Sequence, residues 1–239
     1  MNNLLSYLDN ETVDYYKWLS QYGLFTYEQK IINSYFPKGS LVLDIGCGAG
    51  RTTVGLHSLG FQVRGIDYSE TMIEKAKENY PDLVFSVQNV LDLEFPDNSF
   101  DCAIFSFNGL MLVGEYTERL KALSEIMRVI RNDGVFFFTT PFLDNKIGGE
   151  YWSEKIAGYG KELSNFTESE LLSLGDETTD EGRVSFQLHV PFINEIHKMI
   201  AESNCEIIFE GRRLDLFPEE KAEDELDDNY IWVVKHGKV

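Results

Sequence analysis

Residues 42–51 read VLDIGCGAGR, an apolar run that ends on Gly46, Gly48 and Gly50. Glycines at that spacing let the chain turn sharply and let a ligand approach the main chain with no Cβ in the way. The next apolar run ends at Asp67. A carboxylate placed there can accept hydrogen bonds from both hydroxyls of a ribose, which suits an adenosine-containing cofactor. The bland alternative is a tight strand-to-helix turn with a surface acid, and it leaves the position of Asp67 unexplained. Loops that hold a dinucleotide pyrophosphate favour Gly-x-Gly-x-x-Gly. Here the order is Gly-x-Gly-x-Gly, and Asp44 stands two residues before the first glycine. A nicotinamide-binding protein is therefore the less favoured reading of the two, and it stays open at this point.

The elements that must position these residues follow from the pattern of apolar side chains. Residues 41–45 form a short apolar run suited to a buried parallel strand, with a helix starting near Thr52. Residues 61–66, 83–87, 102–106 and 135–140 supply further strands. Ser69 is placed to cap a helix that Pro81 stops. Residues 116–131 make an amphipathic helix, with Gly134 suited to its C-terminal cap. Strands alternating with helices at this spacing mean a parallel sheet covered on both faces. The first 36 residues are helical and rich in aromatic side chains. The rhythm lapses over residues 142–182, which look inserted. It resumes as a strand over 183–190 with Val184, Phe186, Leu188 and Val190 on one face, a helix over 193–203, and strands over 205–210 and 230–234.

Together these segments resemble the class I S-adenosylmethionine-dependent methyltransferases. The glycine loop is similar to their motif I. Residues 65–69 (GIDYS) resemble their acidic motif after strand 2. Residues 89–101 (NVLDLEFPDNSFD) resemble the stretch before strand 4, and residues 125–134 (EIMRVIRNDG) the helix leading into strand 5. The resemblance spans about residues 41–140. It implies an α/β fold: a doubly wound, Rossmann-like, mainly parallel seven-stranded sheet with helices on both faces, an N-terminal helical lid and a cap insertion after strand 5. The whole chain, residues 1–239, would be a single domain, with lid 1–36, cofactor core 41–140, cap 142–190 and a closing segment 191–239.

The resemblance also implies roles, residue by residue. S-adenosyl-L-methionine would be the cofactor and S-adenosyl-L-homocysteine the product. Asp44 and the backbone of Gly46, Cys47 and Gly48 would serve the methionine portion and ribose, and Asp67 the ribose hydroxyls. Tyr68 and Met72 would pack near the adenine, and Val90 and Leu91 would add contacts. Asn89 stands where the family often has Asp, and its amide oxygen can still accept from the adenine amino group. Ser106 and Phe107 would lie near the sulfonium, with Tyr15 or Tyr16 on the lid helix above. Of the histidines, His189 is the candidate catalytic base, because it follows the insertion where the family places acceptor contacts.

Composition narrows the acceptor. The chain carries 21 Lys+Arg against 40 Asp+Glu, a formal net charge of −19. Residues 1–149 hold 19 acids and 12 bases, and residues 150–239 hold 21 and 9, so the excess concentrates in the C-terminal part. Such a surface repels phosphate backbones, which argues against nucleic acid and anionic membranes. Cys47, Cys102 and Cys205 are odd in number and widely spaced, which fits neither a disulfide framework nor a metal knuckle. No apolar stretch approaches the ~18 residues of a membrane helix. A small-molecule acceptor, methylated on O or N in the cytoplasm, is the expected function. A non-catalytic cofactor-binding regulator or scaffold is the alternative.

Overall fold

The computed structural model describes residues 10–143, 157–158, 160, 165–181, 184–219 and 228–237. Two helices come first, α1 (Asn10–Ser20) and α2 (Thr26–Tyr35). Then β1 (Leu41–Ile45), α3 (Arg51–Ser58), β2 (Gln62–Asp67), α4 (Glu70–Asn79), β3 (Val84–Val87) and β4 (Phe100–Phe105) alternate. A 3-10 turn (Gly109–Leu112) leads to α5 (Tyr116–Val129) and β5 (Ile130–Thr140). After them come α6 (Glu168–Gly175), β6 (Asp176–Glu181), β7 (Val184–His189), α7 (Ile193–Glu202), β8 (Cys205–Arg212), the short α8 (Arg213–Leu216) and β9 (Tyr230–His236).

Seven strands form one sheet in the order β3-β2-β1-β4-β5-β9-β8. Neighbours from β3 to β5 pair in parallel, while β9 runs antiparallel to both β5 and β8. In β5, Phe136 and Phe138 join Trp232 and Val234 in a core shared with α5 and α7. The alternate residues Val135 and Phe137 face a second core with Ile31 and Ile32 of α2 and Leu56 of α3. Both faces are covered, so β5 reads as a continuous apolar run rather than an alternation.

The structure corrects two local expectations. Helix α5 ends at Val129, and Gly134 lies inside β5 with no left-handed backbone. Gly134 sits where β5 shifts register against β4, and a Cβ there would meet the Asp101 carbonyl at 2.4 Å. Its small size serves a close strand approach, not a helix cap. The insertion also contains a strand that has no apolar alternation to announce it: β6 (DETTDE) pairs antiparallel with β7 in a separate two-stranded sheet. On the apolar face of β7, Leu188 is half-buried against the core and Val190 just beyond the strand is buried, while His189 between them is 3% exposed. Ser69 caps α4 as expected, its hydroxyl accepting from the Met72 N–H at 3.3 Å. Residues 144–156, 220–227 and the other parts of the insertion and acidic run not named above lie outside the described residues.

Candidate functional site

In a doubly wound sheet, the strand order reverses where connections leave for opposite faces, and a crevice opens beyond the strand ends. Here the reversal falls between β1 and β4. A cavity of about 1350 Å³ lies there, lined by Ile45 and Gly46 after β1, Asp67 and Tyr68 after β2, Asn89 to Leu91 after β3, and Ser106 and Phe107 after β4. Its far wall includes Arg119 of α5, Ser169 and Leu172 of α6, and Leu188 and His189 of β7. A smaller cavity of about 70 Å³ adjoins it at Gly46, Asp67, Ser106, Phe107 and Tyr16, and also touches Cys47, Gly48, Arg51 and Met72.

The glycine loop turns because its residues can adopt left-handed backbone. Gly46 has φ +62°, and a Cβ on it would strike the Phe105 ring at 2.6 Å. Gly48 has φ +52°, and a Cβ on it would project into open space. That space is the room a ligand needs to reach the main chain. Behind the loop, Asp44 is fully buried, and its Oδ2 accepts from the Thr53 hydroxyl at 2.5 Å. Its Oδ1 has no partner. Burial pushes the Asp44 carboxyl up to about 7, against the pull of Thr53 and Arg51. Asp44 lines neither cavity; it supports the loop from beneath. Burial also pushes the Cys47 thiol up, reinforced by Asp44 and Asp67, so it is a thiol rather than a thiolate at neutral pH.

Asp67 accepts two backbone hydrogen bonds, from Gly48 N–H at 2.9 Å and Ser69 N–H at 2.8 Å, one on each oxygen. Withdrawal from water raises its pKa more than these N–H groups lower it. Each oxygen keeps a lone pair for a further donor. Beside it, Asn89 uses its side-chain oxygen to accept from Leu91 N–H at 3.0 Å, which stiffens the turn that presents Val90 and Leu91 to the cavity. Tyr68 is half exposed at the mouth. Met72 is buried beneath, next to the glycine loop rather than among the residues around Asn89. Phe107 is held at φ +54°, a costly conformation for a bulky residue, and its ring lines both cavities. Tyr16 of α1 also lines both, and the side chain of Tyr15 lies outside the described ones.

His189 is 3% exposed, and its Nε2 lies 2.8 and 3.0 Å from the two carboxylate oxygens of Glu195. Arg119 stands 3.8 Å from the same carboxylate. The insertion and α5 thus share one wall of the cavity, and Glu195 of α7 backs it.

Sequence reasoning missed Glu28, Arg51, Arg119 and Glu195. Arg51 directly follows the last glycine, which places it at the loop and is a usable signal. Glu28 and Glu195 carry none, because their partners lie in other elements. Glu28 of α2 is fully buried and receives both terminal nitrogens of Arg51, at 2.7 and 2.8 Å.

Comparison with known proteins agrees with this geometry. Residues 43–138 match the methyltransferase domain family. A demethylmenaquinone methyltransferase of Bacillus licheniformis is 35% identical over 104 residues, covering 41% of this chain and 43% of that protein. Another, of Beutenbergia cavernae, is 37% identical over 131 residues, covering 54% and 49%. The chain spans about half the length of the curated relatives it matches. A solved S-adenosylmethionine-dependent methyltransferase of Methanosarcina mazei superposes with a TM-score of 0.68 at 22% identity, covering 90% of this chain and all of that one, which shows a common fold.

Proposed function

We propose that this chain, whose residues 43–138 match the methyltransferase domain family, is a class I S-adenosylmethionine-dependent methyltransferase and that it methylates an oxygen or nitrogen atom of a small molecule. The observation that carries the reading is Asp67 at the cavity floor, fixed by two backbone N–H groups and retaining lone pairs for two ribose hydroxyls. The open space at Gly48 fits the same group. Asp67 would hold the ribose, and Tyr68, Asn89, Val90 and Leu91 the adenine. Gly46, Cys47 and Gly48 would face the methionine portion, with Met72 beneath them. Ser106, Phe107 and Tyr16 would surround the sulfur, where aromatic faces suit a cation.

When bound, the cofactor supplies a methyl group on a positively charged sulfur, an electrophile already activated. The chain's task is then to align an acceptor and exclude water. Helices α1 and α2 act as a lid on the cofactor side. The segment containing α6, β6 and β7 acts as a cap on the acceptor side, and the cavity volume leaves room for an acceptor beside the cofactor. For a hydroxyl acceptor, His189 takes the proton, with its ring oriented by Glu195. The names of the demethylmenaquinone relatives belong to those proteins, and they support a small-molecule acceptor here. Three free cysteines suit a reducing cytoplasm. No helix among the described residues is long and apolar enough to cross a membrane.

Incubation with radiolabelled S-adenosylmethionine and a panel of small hydroxyl and amine compounds tests the reading. Label in a low-molecular-weight product supports it. Binding of NADH in place of S-adenosylhomocysteine overturns it, and label on carbon alone overturns the O or N assignment.

A further inference from the structure

The ion pair between Glu28 and Arg51 joins α2 to the first residue of α3 and is almost wholly withdrawn from water, the side chains being 0% and 8% exposed. The Glu28 carboxylate accepts from both Arg51 terminal nitrogens, from Phe25 N–H at 2.7 Å and from the Ser106 hydroxyl. Arg51 is held in turn by the Gly23 carbonyl at 2.8 Å and lies under the Phe25 ring, 4.2 Å from its centroid. Stability alone is a weak reason for such a pair, since well-packed apolar side chains often serve as well.

Its position suggests more. Ser106 lines both cavities and Arg51 lines the smaller one. Ser106 donates its hydroxyl proton to Glu28 and accepts from Arg51 Nη2 at 3.3 Å, so its dipole is tied to both halves of the pair. Two opposite charges thus cancel just behind the cavity wall, in surroundings where an uncancelled charge is felt strongly. S-adenosylmethionine and S-adenosylhomocysteine differ by one positive charge, located on the sulfur. A wall with a net charge would shift their relative affinities, and a neutral wall would not.

We propose that the Glu28–Arg51 pair, relayed by the Ser106 hydroxyl, keeps the wall beside the sulfur neutral and thereby sets how strongly the site prefers the cationic cofactor over its thioether product. This rests on the reading that the cavity binds that cofactor. Glu28 lines neither cavity and is a positioning residue in this scheme, acting through Arg51 and Ser106. The consequence is kinetic as well as thermodynamic, because the same ratio governs how readily the product is displaced by fresh cofactor.

Calorimetric affinities for both compounds test it, measured on the native chain, Glu28→Gln, the double variant Glu28→Gln/Arg51→Met, and Ser106→Ala. Glu28→Gln leaves an arginine that cannot lose its proton. Its preference for S-adenosylmethionine over S-adenosylhomocysteine should fall about tenfold. The double variant removes both charges and should restore the native ratio within about twofold. Ser106→Ala keeps the ion pair and should lower the ratio by about threefold through loss of the hydroxyl dipole. Should Glu28→Gln fail to fold, the double variant and Ser106→Ala decide. Affinities for both compounds that change by a common factor in every variant overturn the inference and reduce the pair to a structural strut. A native chain that binds neither compound overturns the cofactor reading itself.

Discussion

Replacing Asp44 by Asn should remove a pH dependence of folding that originates under the glycine loop. Asp44 is fully buried, with one oxygen accepting from Thr53 at 2.5 Å and the other unpartnered. Its pKa rises from 3.8 to about 7, chiefly because burial penalises the charged form. In the unfolded chain the group loses its proton near the lower value, and in the folded chain it keeps the proton to near the higher one. Between the two, the folded state binds more protons, so stability falls as pH rises through this window and levels off above it. Each pH unit is worth about 1.4 kcal/mol, and a shift of a little over three units amounts to roughly 4 kcal/mol at most. Asn cannot ionise. Urea unfolding of both proteins at pH 4.5, 5.5, 6.5 and 7.5 isolates the effect, because all other carboxyls cancel in the difference. Asp44→Asn should gain about 3 kcal/mol on the native chain between the ends of that series. A difference that stays constant within about 0.5 kcal/mol refutes the assignment of a neutral, proton-holding Asp44.

Asp67→Ala removes the acceptor of two backbone N–H groups and should weaken S-adenosylhomocysteine binding about a hundredfold by calorimetry. Undiminished affinity would remove Asp67 from the ribose site. Gly55→Ala would normally favour a helix interior by about 1 kcal/mol, yet its Cβ would meet Leu24 Cγ at 2.5 Å and Leu24 N at 2.8 Å. It should instead cost about 1–3 kcal/mol, lowering Tm by roughly 2–10 °C; a rise in Tm would contradict the packing of the α1–α2 connection on α3. His189→Gln should slow turnover of a hydroxyl acceptor by about 10²–10⁴-fold, while S-adenosylhomocysteine affinity stays native. Unchanged turnover would exclude proton transfer by His189.

The glycine loop and the acid beside it were legible because their signals are local. A glycine loop needs residues that tolerate φ near +60°, and Gly46 and Gly48 stand side by side with Asp44 in one stretch of chain. Asp67 lies at the end of the neighbouring parallel strand, so one crossover brings it to Gly48. The opposite wall of the cavity was less legible. His189 could be named, but its burial and its carboxylate partner could not. Strand β6 escaped notice because DETTDE has no apolar alternation, and its pairing with β7 depends on a neighbour rather than on its own composition. Gly134 was misread because a glycine after a helix and a glycine at a strand bulge look alike in sequence.

By itself, the sequence determined the alternating α/β order, the glycine loop, the acid at the end of the second strand and the acidic balance of the chain. Each of these follows from backbone permissiveness, apolar period or charge count, which are properties of short segments. Only the tertiary structure decided that Glu28 meets Arg51 and Ser106, that Glu195 meets His189, and that Asp44 turns toward Thr53 instead of the cavity. Those contacts join elements distant in the chain, and what makes them consequential is burial. Removal from water raises the cost of an unpaired charge and strengthens each paired one, and burial is a property of the whole packed molecule.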